Sequence, residues 1–230
     1  MNLIDLNNYL PTVLTDIVFG NDESQATVMD IASGRKPFPT FGKNGLLLYG
    51  IWGTGKTTLA RMLPNAIEQA LVGKPIYDEQ FIQCKQGMNG ADLMRKIEQQ
   101  AVLISANYSD KHYFILDEID NLTEAAQTSL KAAMNVSTGI FIMTTNHIEK
   151  IERGILNRSV LVEMNAASPQ QWLPFAQRML KDCGVEDVSD DELIPLLAAC
   201  NGSVREIADS LLTIAARRGP QQSGGAQVLF

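Results

Sequence analysis

The sequence lacks long hydrophobic runs and the features of an export signal. No apolar stretch approaches the roughly 18 consecutive residues that a membrane-spanning helix needs. The first residues, from Met1 to Asp5, have neither the basic start nor the continuous apolar core of a signal peptide. We therefore expect a soluble, cytoplasmic protein without a membrane partner.

Cysteine and histidine are scarce, and their positions form no metal-binding pattern. The cysteines, Cys84, Cys183 and Cys200, are far apart in the chain, and His112 and His147 are equally isolated. None of these spacings matches a zinc motif. We predict reduced cysteines in the protein core and no zinc site.

Positive charge is also in deficit. Lysine and arginine together number 19 against 26 aspartates and glutamates, which gives a formal net charge of −7. This balance argues against a free-standing nucleic-acid-binding domain, because such domains usually carry a basic surplus. Binding of nucleic acid through a local patch, or through a surface shared between subunits, stays open.

A glycine-rich segment provides the first functional signal. The apolar run Leu46–Tyr49 predicts a buried strand, and Leu59–Leu63 predicts a helix. Between them the sequence fits Gly-x4-Gly-Lys-Thr, in the strand–turn–helix context that the phosphate-binding loop requires. The residues predicted to contact nucleotide are Gly50, Trp52, Gly53, Thr54, Gly55, Lys56, Thr57 and Thr58.

Each residue type in this loop has a chemical reason. Glycines let consecutive backbone N–H groups turn toward one phosphate, and the helix N-terminus adds partial positive charge. Lys56 reaches the outer phosphates, and the Thr57 hydroxyl is a ligand for Mg²⁺. The motif predicts a nucleoside-triphosphate site.

Two carboxylates end a second buried strand, predicted over Tyr113–Glu118. At the carboxyl edge of a parallel sheet, Asp117 can hold the water shell of Mg²⁺, and Glu118 can activate the attacking water as a general base. The competing interpretation is an acidic strand end that only begins a helix, which Asp120 and Asn121 also fit.

Asn146 follows another apolar strand, Gly139–Thr145. Open α/β sheets bind ligands outside the carboxyl ends of their strands, so Asn146 should face the same crevice as Asp117 and orient water or contact the terminal phosphate. The alternative is an ordinary strand-ending turn residue. Further strands are predicted at Phe81–Cys84 and Val160–Met164, and helices at Val28–Ala32, Lys56–Leu71, Ala91–Ile104 and Ala125–Met134.

After Asn165 the pattern indicates helices only. Ser168, Ser189 and Ser203 each precede an amphipathic stretch and have an acid or glutamine three residues later, as in a capping box. We predict an α/β core with a parallel sheet over residues 1–166, a three-helix lid over 167–218, and a flexible tail over 219–230. The tail ends in Gln-Val-Leu-Phe, which resembles a degenerate peptide for docking on a sliding clamp, although a frayed end is the simpler interpretation.

An α/β nucleotide core followed by a helical lid resembles the AAA+ ATPases. Within them the chain is similar to the clamp-loader branch, the small subunits of replication factor C and phage clamp-loader ATPase subunits. The stretches that carry the resemblance are Tyr9-Leu10-Pro11, Leu14–Val18, Gly20–Glu23, Leu116–Gln127, Asn146, Leu156–Ser159 and Gly202–Arg205.

The resemblance implies several further roles. ATP and Mg²⁺ would bind between core and lid, with Ile17 and Val18 beside the adenine. Asn146 would be the first sensor of the terminal phosphate and Arg205 the second. Arg158 would act as an arginine finger in the neighbouring subunit's site, with Arg153 as an alternative, because the serine and cysteine that flank the finger in the family are replaced here.

The expected function is that of a clamp-loader-like AAA+ ATPase. It would hydrolyse ATP at the interfaces of an oligomer of identical or homologous subunits that acts on DNA or on a sliding clamp. The sequence contains no counterpart of the branch's collar domain, which indicates a shortened chain or a compact relative. The alternatives are another DNA-remodelling AAA+ ATPase (a transposition regulator, helicase loader or phage-type replication ATPase) forming a ring or filament, and a subunit that binds nucleotide without hydrolysing it.

Overall fold

The computed structural model describes residues 9–86, 90–101 and 103–218, which form two compact units. One unit is Val13–Asn165, and the other combines residues 9–12 with residues 166–218. In the described part of the chain, no helix has the length and apolar character needed to cross a membrane. The predicted tail, residues 219–230, lies outside the described residues.

A five-stranded parallel sheet forms the centre of the first unit. Its strands lie in the order β2-β3-β4-β1-β5. They are β1 (Gly45–Tyr49), β2 (Gln80–Gln83), β3 (His112–Asp117), β4 (Gly139–Thr145) and β5 (Ser159–Glu163). Because every neighbouring pair is parallel, all five carboxyl ends lie at the same edge. The predicted α/β fold with a parallel sheet is confirmed, and β4 has the predicted bounds.

Helices cover both faces of this sheet. They are α1 (Asp22–Ala32), α2 (Lys56–Val72), α3 (Gly90–Ala101), α4 (Glu124–Ala133) and α5 (Arg153–Asn157). Successive side chains of a strand point to opposite faces. Leu46 and Leu48 of β1 accordingly pack in one buried cluster with residues of α1 and α2, whereas Leu47 packs in a second cluster with residues of α3, α4 and α5.

Two helix boundaries differ from the sequence prediction by three residues or more. Helix α1 begins six residues earlier than Val28, since the Asn21 side chain caps it by accepting a 2.7 Å hydrogen bond from the Ser24 N–H. Helix α3 ends at Ala101, so placing Ile104 on its apolar stripe was wrong, and Ile104 is 95% exposed. The chain beyond α3 is held as a loop by the buried Asn107 side chain, which hydrogen-bonds backbone groups on both sides of it.

Asn44 secures the amino-terminal edge of the sheet. Its buried side-chain amide donates to the carbonyls of Met134 (2.9 Å) and Gly139 (3.0 Å), which flank the turn between α4 and β4. Leaving a buried carbonyl without a donor costs about 1–3 kcal/mol. We expect Asn44→Ala to lower the free energy of unfolding by about that amount, measured by urea denaturation. Asn157→Ala, at an exposed position, is the control, and equal stability of the two variants would contradict this role of Asn44.

The second unit contains three helices, α6 (Pro169–Asp182), α7 (Asp190–Ala199) and α8 (Val204–Arg218). The predicted capping box is present at α6, where Ser168 and Gln171 exchange hydrogen bonds. At α7 the prediction was wrong in one detail. Ser189 occupies the N-cap position, but its side chain makes no capping hydrogen bond.

Tyr9 joins the amino-terminal segment to the second unit. Its hydroxyl donates to Asp182 at 2.8 Å, and its ring meets Phe175 edge-on at 6.2 Å. Burial and the neighbouring Asp182 carboxylate raise the pKa of Tyr9 to about 12. Residues 9–12 therefore group with the helices and not with the α/β core to which they were predicted to belong. An isolated tyrosine in a sequence does not indicate which helix it will pack against.

Candidate nucleotide-binding site

The turn between β1 and α2 has the backbone that its glycines predict. Gly50, Gly53 and Gly55 all have positive φ angles, of 140°, 78° and 86°. At Gly50 a Cβ atom would also lie 2.4 Å from the carbonyl oxygen of Met164, so no side chain fits there. Gly55 is the N-cap of α2, which leaves the backbone N–H groups of the first helical turn available to an anion.

The Lys56 side chain folds over this same turn. Lys56 is buried, and its ammonium donates to the carbonyl of Gly50 at 2.9 Å and to that of Ile51. Thr54 closes the turn from the other side through its hydroxyl, which donates to Ile51 at 3.1 Å. A cation is therefore already held beside the N-terminus of α2, where phosphate oxygens bind in loops of this kind.

Thr57 and Asp117 meet across the sheet edge. The Thr57 hydroxyl donates to Asp117 Oδ1 at 2.8 Å, and Asp117 is only 6% exposed. A hydroxyl and a carboxylate are the hard oxygen ligands that Mg²⁺ prefers. The donor set therefore fits the predicted metal. Thr58, the next residue of α2, is partly buried in the first helical turn.

Thr144, which was not among the predicted site residues, completes this corner of the site. Its hydroxyl donates to Asp117 Oδ1 at 2.7 Å and accepts from the backbone N–H of Glu118 at 2.9 Å. Glu118 itself has φ 58°, in the left-handed region that non-glycine residues rarely adopt. A hydroxyl at the end of β4 could have been noticed, but only the pairing of β3 with β4 brings it beside Asp117.

The Glu118 carboxylate lies beside Asn121 and the end of β2. The Asn121 amide donates to Glu118 Oε2 and to the carbonyl of Cys84, both at 3.3 Å. Burial, together with the nearby carboxylates of the β3 end, raises the pKa of Cys84 to about 12, so its thiol stays protonated. Cys84 and Cys200 are buried free cysteines, while Cys183 is only partly buried.

Asn146 lies at the same edge, in the turn after β4. Asp120 Oδ1 accepts hydrogen bonds from the Thr145 hydroxyl (2.7 Å) and the Asn146 N–H (3.3 Å). The turn that carries Asn146 is thus tied to the turn that carries Glu118. This contact holds the turn after β3 beside the turn after β4.

Arg158 lies at the opposite edge of the sheet. It immediately precedes β5, and its carbonyl accepts from the N–H of Gly45 at the start of β1. Its guanidinium donates to Asn135 Oδ1 (3.2 Å) and to the carbonyl of Gly154 (3.1 Å). The phosphate loop begins after the other end of β1, about 13 Å further along the strand.

The remaining predicted residues are dispersed. Ile17 is buried in the cluster that also contains Leu46, whereas Val18 is partly exposed. Trp52, at the tip of the phosphate loop, is 67% exposed and meets His147 edge-on at 6.2 Å. Arg205 belongs to the second unit, where it is exposed in the first turn of α8.

The parallel sheet and its glycine loop define a nucleotide-binding α/β protein. The family model described as "ATPase family associated with various cellular activities (AAA)" matches residues 46–165, which span the loop and all five strands' carboxyl ends. The chain belongs to this family. Its predicted membership of the AAA+ ATPases is confirmed.

The chain is also similar to replication factor C subunits. Replication factor C subunit 4 of Schizosaccharomyces pombe is 31% identical over 93% of this chain, and the replication factor C small subunit of Thermoplasma acidophilum is 28% identical over 90%. The chain spans 60% and 62% of the lengths of these relatives. A solved RuvB variant from Thermotoga maritima, 15% identical, shares the fold with a TM-score of 0.66 over 90% of this chain and 65% of its own.

Proposed function

We propose that this chain hydrolyses ATP at the interfaces between subunits of an oligomer, and that the oligomer acts on DNA or on a partner that encircles DNA. One observation carries the proposal. The phosphate loop, the Thr57–Asp117 contact and Glu118 share one edge of the sheet, whereas Arg158 lies at the other.

Different residues of this chain have different roles in the proposed hydrolysis. Lys56 and the N–H groups at the start of α2 bind the phosphates. Thr57 and Asp117 would hold Mg²⁺, which when bound neutralises charge on the phosphate oxygens. Glu118 takes a proton from the attacking water, as a general base at the carboxyl edge of the sheet.

Two further residues are proposed to respond to the terminal phosphate. Asn146 stands in the turn that Asp120 ties to the Glu118 turn, so a movement of one turn is transmitted to the other. Arg205 stands at the start of α8 in the helical unit and would report the same phosphate from the lid. Ile17 and Val18 would lie beside the adenine.

The position of Arg158 supports action on a neighbouring subunit. The backbone of Arg158 lies beside the start of β1, and its own phosphate loop begins after the other end of that strand, about 13 Å away. A cation there can neutralise transition-state charge only in another chain's site. Hydrolysis would then require an assembled neighbour.

The proposal of a DNA-related target rests on the relatives. Proteins named replication factor C subunits match this chain over most of its length. The net charge of −7 is unfavourable for DNA binding by one chain alone, which favours a surface shared by several subunits or a partner protein that contacts the DNA.

Mixing two inactive variants tests the shared site. Arg158→Ala removes the finger but keeps Glu118, and Glu118→Gln does the reverse. We expect each variant alone to lose ATPase activity by about 10³-fold, since an arginine finger is worth 10³–10⁵ in kcat. A one-to-one mixture should recover roughly one quarter of the wild-type rate, because one interface in four then combines an intact base with an intact finger.

Arg153→Ala serves as the matched control for that experiment. Arg153 is exposed on α5, a few residues before Arg158, and should be dispensable. Phosphate release is measured at a fixed total protein concentration for every single variant and mixture. An inactive mixture of Arg158→Ala with Glu118→Gln would contradict a finger acting between subunits. If Arg153→Ala alone were inactive and regained activity when mixed with Glu118→Gln, the finger would be reassigned to Arg153.

A further inference from the structure

The two partners of the Thr144 hydroxyl determine which hydrogen bond it donates and which it accepts. Thr144 is 1% exposed and lies in β4 beside the last residue of β3. The backbone N–H of Glu118 can only donate, so at 2.9 Å the hydroxyl must accept from it. The single hydroxyl proton is then committed to Asp117 Oδ1, at 2.7 Å.

This arrangement joins the two carboxylate residues through one side chain. Asp117 Oδ1 accepts hydrogen bonds from the hydroxyls of Thr57 and Thr144, and these two bonds fix the orientation of the carboxylate. The Glu118 backbone is simultaneously held at φ 58°, a conformation that needs support from its surroundings. A shift of either residue would break a bond to the same hydroxyl.

Neighbouring groups do not duplicate this link. The next residue of β4, Thr145, donates to Asp120 instead, and Asn121 binds the Glu118 side chain, not its backbone. The Thr144 hydroxyl oxygen therefore connects Asp117 and Glu118 directly, because the same atom bonds both residues.

We propose that Thr144 is a positioning residue for ATP hydrolysis. Its hydroxyl orients Asp117 toward Thr57 and sets the backbone from which the Glu118 side chain reaches the attacking water. This inference rests on the proposed function of Glu118 as the base. It goes further by assigning the geometry of both carboxylates to one side chain, whose hydroxyl is bonded to Asp117 Oδ1 and to the Glu118 backbone.

The test distinguishes the effect of losing the hydroxyl from the effect of changing the side-chain volume. Thr144→Val keeps the shape and loses both hydrogen bonds, while Thr144→Ser keeps the hydroxyl. We expect the valine variant to lose at least about tenfold in kcat, because misplacing a reacting group by about 1 Å can cost 10²-fold. Its KM for ATP should change by less than about threefold, as for an interaction made only in the transition state, and the serine variant should recover most of the rate.

A second readout is independent of turnover. Binding of Mn²⁺ in the presence of ADP, followed by electron paramagnetic resonance, should weaken by about threefold or more in Thr144→Val, because Asp117 then keeps only the Thr57 hydrogen bond and is less firmly oriented as a ligand. The matched control is Ser109→Ala, which removes another hydroxyl that donates to a buried carboxylate, that of Glu68, at the opposite edge of the sheet. It should change neither kcat nor Mn²⁺ binding.

The outcomes distinguish this inference from the proposed function. If Glu118→Gln stops turnover but Thr144→Val retains wild-type kcat and Mn²⁺ binding, the positioning role is wrong and the base assignment stands. If Glu118→Gln turns over normally, the base assignment itself fails. Should Thr144→Val not fold, as judged by thermal unfolding, Thr144→Ala replaces it, and the same kcat and Mn²⁺ results decide the question. Equal losses of kcat in the valine and serine variants would also overturn the inference, since the hydroxyl would then not matter.

Discussion

Lys56→Ala should abolish nucleotide binding at ordinary concentrations. The ammonium of Lys56 is buried against the carbonyls of Gly50 and Ile51, beside the N-terminus of α2. It is therefore preorganised for an anion, and a charge-assisted hydrogen bond contributes about 1.5–3 kcal/mol. With a polyanionic ligand we expect the Kd to rise at least about 100-fold, which corresponds to about 2.7 kcal/mol.

Isothermal titration calorimetry with ADP and a slowly hydrolysed ATP analogue measures this loss. Lys111→Ala is the matched control, since that lysine also donates to a backbone carbonyl, of Ser137, but at the far edge of the sheet. Thermal unfolding of both variants shows whether each is folded. A folded Lys56→Ala variant with wild-type affinity would exclude the loop as the phosphate site, and the proposed function would fall with it.

Glu118→Gln should separate binding from turnover. The amide is nearly isosteric with the carboxylate, and the Thr144 bond is made to the backbone of residue 118, so the local structure should survive. What disappears is the proton acceptor. General-base catalysis contributes about 10²–10⁴-fold, and we expect the rate of phosphate release to fall by that factor while ATP affinity stays within about threefold of wild type.

The same variant should trap the assembled state. If hydrolysis drives disassembly, an ATP-bound oligomer that cannot hydrolyse should persist, which size-exclusion chromatography with light scattering would detect. Glu192→Gln is a suitable control, because Glu192 is an exposed residue of the helical unit that pairs with Arg218. Normal turnover by Glu118→Gln would show that another group activates the water.

Much of the site was predictable because its chemistry is local in sequence. The phosphate loop needs glycines at fixed positions and a lysine next to a helix start, and these follow one another in the chain. The acidic pair at the end of β3 is equally local, as is the polar residue after β4. Parallel strands place their carboxyl ends at one edge, so the approximate convergence of these three segments followed from the fold class.

Other features depended on side-chain hydrogen bonds to the backbone. Helix α1 was predicted too short because its apolar buried side chains begin at Val28, after the polar first turn that Asn21 caps. Helix α3 was predicted too long because apolar residues continue past its end, where the Asn107 side chain holds the chain in a loop instead. Apolar spacing measures amphipathicity, whereas side-chain hydrogen bonds to the backbone decide where a helix stops.

The sequence by itself determined the α/β class, the phosphate loop and the acidic strand end. Each depends on short runs of residues that themselves carry the required backbone geometry and chemistry. Only the tertiary structure decided that β4 lies beside β3, so that Thr144 reaches Asp117 and Glu118, and that Arg158 stands at the edge remote from its own phosphate loop. The physical reason is that strand order and register arise from packing of the whole sheet between its helices, and no local pattern contains that information.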